Sequence, residues 1–184
     1  IYAQQVDLSS VGDYLTTVLA LHLPDNVEGI ELLLRPEVID TPFYHYTHGL
    51  KKHDGNCQRI AHGHRSKITI IENGIESLIE EAYWAKRWAD IYIASTEDQV
   101  SVAMLQGDYP GIDDNTHVAF AYSASQGYFE MAIAQSETEI IDRDSTVECL
   151  AQYVLEQQSA RSDAESITVI AFEGVGKGAI VTSN

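Results

Sequence analysis

The stretch Tyr44-His45-Tyr46-Thr47-His48-Gly49-Leu50-Lys51-Lys52-His53-Asp54-Gly55-Asn56-Cys57-Gln58-Arg59-Ile60-Ala61-His62-Gly63-His64 decides the reading of this protein. Five of the seven histidines lie between His45 and His64. Residues two apart on a strand share a face, so His62-Gly63-His64 sets two imidazoles side by side and Gly63 leaves the opposite face open. A third imidazole from a neighbouring strand, most naturally His48, completes a three-histidine metal site with the fourth position free, as catalytic zinc requires. His45 and His53 are spares. A lone His-x-His pair reads more readily as two solvated surface residues; the three further histidines and the cysteine nearby turn the balance to the metal. Iron and nickel also accept imidazole, so the metal's identity stays open. Cys57, on a Gly-flanked loop between the two histidine strands, is either a fourth ligand or a thiolate base or nucleophile, activated by the metal, Lys52 and Arg59. The other cysteine, Cys149, sits on an apolar helix face and reads as core.

Lys51, Lys52, Arg59, Arg65 and Lys67 supply five of the 11 basic residues, against the single acid Asp54 between positions 50 and 70. They form either a local site for a phosphate-bearing substrate, with Lys51 and Arg59 as candidate contacts, or an ordinary solvated basic face. The whole sequence has 28 acidic residues and a net charge of −17, which excludes a broad nucleic-acid or anionic-membrane surface. No run approaches the ~18 apolar residues of a membrane span, and the start shows no secretory pattern, so a cytoplasmic protein is expected. A length of 184 residues with 45% hydrophobic content suffices for a real core and excludes a disordered chain. Two cysteines are too few for a disulfide framework. The sequence starts at Ile1 rather than Met, which points to a fragment or a processed product.

Outward from the histidines, Ser9 to Leu19 reads as a capped amphipathic helix, and Gly29–Leu34 as a strand ending near Glu37. Asp144 to Leu155 repeats that helix and Ile167–Phe172 repeats that strand, ending at Glu173. At a constant offset Ser145, Val147, Val154, Leu155 and Glu173 fall on Ser9, Val11, Val18, Leu19 and Glu37, the mark of a duplicated module. Residues 1–42 therefore read as half a module. Between the copies, His64–Ile71 alternates as a strand, Glu76–Ala89 carries helix formers, and Val118–Tyr122 with Tyr128–Ile133 flanks a hairpin turn. Ala179–Val181 follows Phe172 across a Gly-rich turn. The class is α+β, an antiparallel sheet with helices on one face.

The motif set resembles the 6-pyruvoyl-tetrahydropterin synthase and 6-carboxytetrahydropterin synthase family, which has the tunnelling (T-) fold. Tyr44 to His48, then Cys57, then His62-Gly63-His64 match the family's first zinc ligand, catalytic cysteine and His-Gly-His ligand pair. Ser145-Thr146-Val147-Glu148-Cys149-Leu150-Ala151 is similar to the Thr-rich helix start that touches the pterin. Glu173 is like the strand-end glutamate that takes the pterin's N–C–N edge through a two-pronged hydrogen bond. The resemblance covers residues 43–184 and implies a T-fold module there. Residues 1–42 look like the C-terminal half of a preceding copy, as in tandem bacterial members. It also implies an oligomeric barrel, hence a homo-oligomer, and a small-molecule pterin substrate.

The implied reaction is a carbon–oxygen lyase step on 7,8-dihydroneopterin triphosphate, of biopterin or queuosine type. Zinc on His48, His62 and His64 would acidify a C–H bond next to the substrate oxygens that it binds, and Cys57 would take the proton before triphosphate leaves. The family's Asp-His pair in support of the base is absent as a dipeptide. Asp113, Asp114 and His117 are the substitutes, farther from Ser145 than usual because of the added hairpin. Two rivals follow. One is a catalytically degraded relative that keeps zinc or pterin for a regulatory or assembly role. The other is a zinc hydrolase of unrelated fold with Glu72 or Asp54 as base.

Overall fold

The structure is a computed structural model and describes residues 7–34, 39, 42–53, 55–174 and 176–183. The protein divides into two units, Ile1–Val38 and Ile39–Asn184. In the first, helix α1 spans Leu8–Ala20 and is capped by Asp7, whose carboxylate accepts the Ser10 N–H at 2.8 Å. The cap is thus Asp7, earlier than the serines suggested. The expected strand at Gly29–Leu34 is not formed. A strand exists only by pairing, and this unit offers no second strand among its described residues. Glu37 lies outside the described residues.

The second unit begins with β1 (Tyr44–His48), β2 (His62–Ser66), β3 (Ile68–Glu72) and β4 (Ile75–Glu76), followed by α2 (Leu78–Arg87). Next come β5 (Ile91–Ser95), β6 (Gln99–Val100), β7 (His117–Ala124), β8 (Gly127–Ala134) and β9 (Thr138–Ile141). The unit ends with α3 (Val147–Ser159), β10 (Ile167–Phe172) and β11 (Gly178–Thr182). Among the described residues these make three sheets, ordered β2-β1-β5-β9, β11-β10-β3-β4 and β6-β7-β8.

The run expected as one strand from His64 to Ile71 is two strands in two sheets. Ser66 pairs with Tyr44 of β1, while Ile68 pairs with Ala171 of β10. Lys67 is the single residue between them, and its carbonyl accepts the Phe172 N–H at 3.0 Å. The expectation of a purely antiparallel sheet is corrected in the first sheet. There β5 runs parallel to both β1 and β9. Parallel neighbours need a crossover, and the segment between β1 and β5, including α2, supplies one. The β3–β4 turn is Asn73-Gly74, with φ of 51° and 81°, the two positive values that a two-residue hairpin turn demands.

Alternation along β1 buries Tyr44, Tyr46 and His48 and turns His45 outward. The tyrosines join Ile68, Ile70, Trp84, Trp88, Ile93, Leu150, Val154 and Val169 in the main core, with α2 against β3 and α3 against β10 and β11. Trp84 and Trp88 pack edge to face at 5.2 Å, and their N–H groups reach Gln158 and Glu139 at 3.1 and 2.9 Å. On the other face of β5, Tyr92 and Ala94 meet Val118 and Phe120 of the β7–β8 hairpin in a second cluster. No helix among the described residues is long and apolar enough to cross a membrane.

Candidate metal centre and its cavity

His48 ends β1 and stands directly across from His62, the first residue of β2. His64, two residues on and opposite Tyr46, returns to the same face. Pleat and register together bring three imidazoles into one cluster, with ring centroids 4.4, 5.0 and 5.2 Å apart. One nitrogen from each lies within 4.8 Å of the others, so the group could hold a metal ion. Gly63, between two of the ligands, presents the opposite sheet face.

Three features match these residues to a metal. Burial, and then the neighbouring imidazoles, push His48 down to about 3. Burial also lowers His62 and His64, although Glu173 partly opposes the shift at both. All three are thus neutral near pH 7, the form that ligates. His48 Nδ1 lies 3.0 Å from the Ser145 carbonyl oxygen and 2.9 Å from its hydroxyl. A carbonyl only accepts, so Nδ1 carries the proton and Nε2 turns its lone pair to the cluster. Finally, His48 Nε2, both nitrogens of His62 and His64 Nε2 are buried without a hydrogen-bond partner. Orphaned buried polar atoms are rare, and one such nitrogen from each of the three rings could be satisfied by a shared metal ion.

Beside the cluster lies a cavity of about 100 Å³ lined by Cys57, His53, Thr146, Glu148, Glu173 and Lys177. Cys57 belongs to a 3-10 turn at Gly55–Gln58 and is half-buried. Its carbonyl accepts the Leu50 N–H at 3.0 Å, which ties the turn to the end of β1. Glu173 follows β10. One of its oxygens stands 3.3 Å from His64 Nε2 without hydrogen-bond alignment, and the other accepts from Lys177 Nζ at 2.7 Å. The Lys177 ammonium is held above its ordinary value, chiefly by Glu173, with smaller contributions from Cys57 and Glu148.

The expected site residues divide into those that meet here and those that do not. Cys57, Thr146 and Glu173 share the cavity with His53. Ser145, expected as a pterin contact, is instead buried against His48. Thr146 caps α3, its hydroxyl accepting the Cys149 N–H at 3.3 Å, while Cys149 is half-buried rather than fully in the core.

Asp114 and His117 line a separate cavity of about 450 Å³ with Gln99, Ser101 and Gln135. There Asp114 accepts from Ser101 Oγ and the Val102 N–H, both at 2.7 Å. Asp113 accepts from Thr116 Oγ1, which lies 2.8 Å from His117 Nδ1. Within a single copy of the protein none of the three lines the Cys57 cavity. The basic residues also disperse. Lys51 and Lys52 pair with Asp98 and Glu97, Lys67 lies 3.9 Å from buried Glu81, and Arg59 is exposed. Glu72, the hydrolase base, accepts from Gln158 Nε2 at 3.0 Å; Asp54 lies outside the described residues.

Two groupings have little signature in the sequence. Lys177 is hidden because its glycine-rich loop reads only as a turn. His45 and Asp90 come within 4.0 Å of each other, and with Thr47, Gly63, Arg65 and Ile91 they line a groove of about 360 Å³ on the outer face of β1 and β2. The pair comes from separate segments, and the sole signal for it is that His45 is out of phase with His48.

No family model matches the sequence, and no curated protein sequence matches it. Solved structures do. The 6-pyruvoyl tetrahydropterin synthase of Plasmodium falciparum aligns over 77% of this protein and 91% of that one, at 14% identity and a TM-score of 0.51. The Plasmodium vivax enzyme aligns over the same shares at 15% identity and a TM-score of 0.50. With its mixed sheets and packed helices, the protein shares the fold of the 6-pyruvoyl tetrahydropterin synthases.

Proposed function

We propose that the protein is a zinc-dependent pterin synthase of the carbon–oxygen lyase type, acting on 7,8-dihydroneopterin triphosphate or a close relative. We propose that it works as a cytoplasmic homo-oligomer, with residues 1–42 as the end of a preceding module. The observation that carries this reading is the adjacency of three neutral imidazoles, each with an unpartnered buried nitrogen, to a cavity holding both Cys57 and Glu173. His48, His62 and His64 would hold the metal. A zinc ion held by these three residues would supply Lewis-acid polarisation of the substrate oxygens, which would acidify the neighbouring C–H.

The protein's own groups do the rest. Ser145 fixes the tautomer and orientation of His48. Glu173 offers its carboxylate to the N–H donors of the heterocycle and so sets which carbon faces Cys57. The Cys57 sulfur, as thiolate, accepts the proton from that carbon, and triphosphate departs as its bond to the substrate carbon breaks. Thr146 closes the cavity at the start of α3.

The separation of Asp114 and His117 from the Cys57 cavity favours a second reading, a degraded relative that binds zinc or pterin without turnover. In the catalytic reading, their support reaches Cys57 from a neighbouring copy. The separating experiment is metal analysis by plasma mass spectrometry, with fluorescence titration by biopterin or sepiapterin and an assay of triphosphate release. About one zinc per protomer with saturable pterin binding and product supports the synthase. Both ligands without product supports the degraded relative. Zinc without pterin binding overturns the pterin site, and no metal overturns both readings.

A further inference from the structure

Of the residues lining the Cys57 cavity, the permanent cation is Lys177 rather than any of the basic residues around Cys57 in sequence. The backbone is shaped to put it there. The Glu173 N–H donates to the Lys177 carbonyl at 2.8 Å, closing a tight loop. Gly174 and Gly176 sit at φ of 84° and 74°, a region that other residues enter only with strain. The loop returns Lys177 Nζ to 2.7 Å from the Glu173 carboxylate.

The two partners differ in exposure. The Lys177 side chain is 73% exposed and that of Glu173 is 13% exposed. The ammonium therefore covers the solvent side of a carboxylate whose other oxygen faces His64. With its lysine end in solvent, the pair can open from that side and leave the carboxylate to another donor.

We propose that Lys177 recognises a phosphate or similar anionic group on the substrate: when the substrate's N–H edge takes Glu173, the displaced ammonium pairs with that anion beside Cys57. This rests on the reading of Glu173 as the acceptor for a heterocycle. Glu148, also in the cavity, repels an anion, so without Lys177 the protein's own fixed charge there disfavours a phosphate-bearing ligand. The alternative cations are committed elsewhere, Lys51 to Asp98 and Lys52 to Glu97.

The test has two arms on the full-length protein. In the first, Cys57 is alkylated by iodoacetate and by iodoacetamide at one pH, with modification at Cys57 read by peptide mass spectrometry. The reagents have similar size and differ in charge. Lys177→Gln should lower the iodoacetate-to-iodoacetamide rate ratio roughly three- to tenfold, the worth of one unit charge across a partly solvated cavity. Lys51→Gln should leave the ratio unchanged. A ratio insensitive to Lys177→Gln overturns the proposal.

In the second arm, dissociation constants are measured for 7,8-dihydroneopterin triphosphate and for 7,8-dihydroneopterin. Lys177→Gln should weaken the triphosphate about tenfold and leave the neutral compound unchanged or slightly tighter. Lys177→Arg should restore most of the loss. Equal weakening of both ligands means that the loop is merely structural and overturns the proposal. If neither ligand binds the unaltered protein while the alkylation ratio still depends on Lys177, the pterin reading falls and the anion role of Lys177 stands.

Discussion

Ser145 tests how the candidate metal centre is held. Its carbonyl and hydroxyl oxygens lie 3.0 and 2.9 Å from His48 Nδ1, and both residues are 1% exposed. Ser145→Ala deletes the hydroxyl and keeps the carbonyl, so the imidazole loses one of two partners and keeps its tautomer. Removing an outer partner of a metal ligand outright typically costs ~10–100-fold in metal affinity. With the carbonyl retained, the loss should fall below that range, roughly three- to tenfold. Fold stability should drop by about 1 kcal/mol for the lost buried hydrogen bond. The assay is zinc competition against a chromophoric chelator on metal-free protein, with thermal denaturation alongside. Unchanged zinc affinity would refute the orienting role of the hydroxyl. Intact zinc affinity with weakened pterin binding would return Ser145 to the substrate contact that its sequence suggested.

Further predictions concern the ligands, a buried carboxylate and the core. His62→Ala should remove most bound zinc, whereas Cys57→Ala should keep the metal and lose turnover; plasma mass spectrometry decides, and an emptied site in the cysteine variant would make Cys57 a ligand. Glu81 has a side chain fully shielded from solvent, accepts the Ile70 N–H at 3.3 Å, and leaves its second oxygen without a hydrogen bond. Burial raises its pKa above the ordinary carboxylate value. A raised folded value favours the protonated fold, so this contribution is present in acid and is lost as pH rises through the folded value. Glu81→Gln keeps the acceptor and removes the charge, so it should stabilise by roughly 1 kcal/mol at pH 7 and give no gain below about pH 4, measured by denaturant unfolding. A gain independent of pH would refute the account. Trp84→Ala should cost about 3–5 kcal/mol in the same assay, since it empties the core and strips Gln158 of a donor.

What is legible in the sequence is local. The period of two in His62-Gly63-His64 and its distance from Tyr44–His48 are enough to place three imidazoles on paired strands. The helix start at Thr146 and the β7–β8 hairpin are readable from caps and turn residues. The β5 and β9 strands are not: Ile91–Ser95 is a short, mostly apolar run and Thr138–Ile141 a four-residue segment with only two apolar residues, and their partners lie far away in sequence. The split of one alternating run at Lys67 is likewise hidden, because a strand's own period does not reveal which sheet it joins. Charge clustering misleads for a related reason. Lys51, Lys52, Arg65 and Lys67 are close in sequence, yet loop direction and alternation send them to different partners or faces.

That alternation also divides the chemistry. His45 is three residues from His48 and lies on the opposite face of β1, as Arg65 lies opposite His64 on β2. No side-chain rotation carries His45 through the sheet, so it cannot serve as a spare ligand to the inner cluster. The two faces thus hold histidines in contrasting surroundings. The inner three are driven neutral by burial and suit a metal, whereas His45 sits in an open groove 4.0 Å from the exposed Asp90 carboxylate. Two Asp–His arrangements, His45 with Asp90 and His117 beside Asp113 and Asp114, both lie outside the Cys57 cavity. If the protein is the homo-oligomer proposed above, any acid–base support that they give to Cys57 would cross from one copy of the protein to another. Mixing an inactive Cys57→Ala protein with an inactive His45→Ala or His117→Ala protein should then restore turnover in the mixed assembly. Failure of every such mixture, with both single variants inactive, would leave Cys57 to act with the groups of its own cavity.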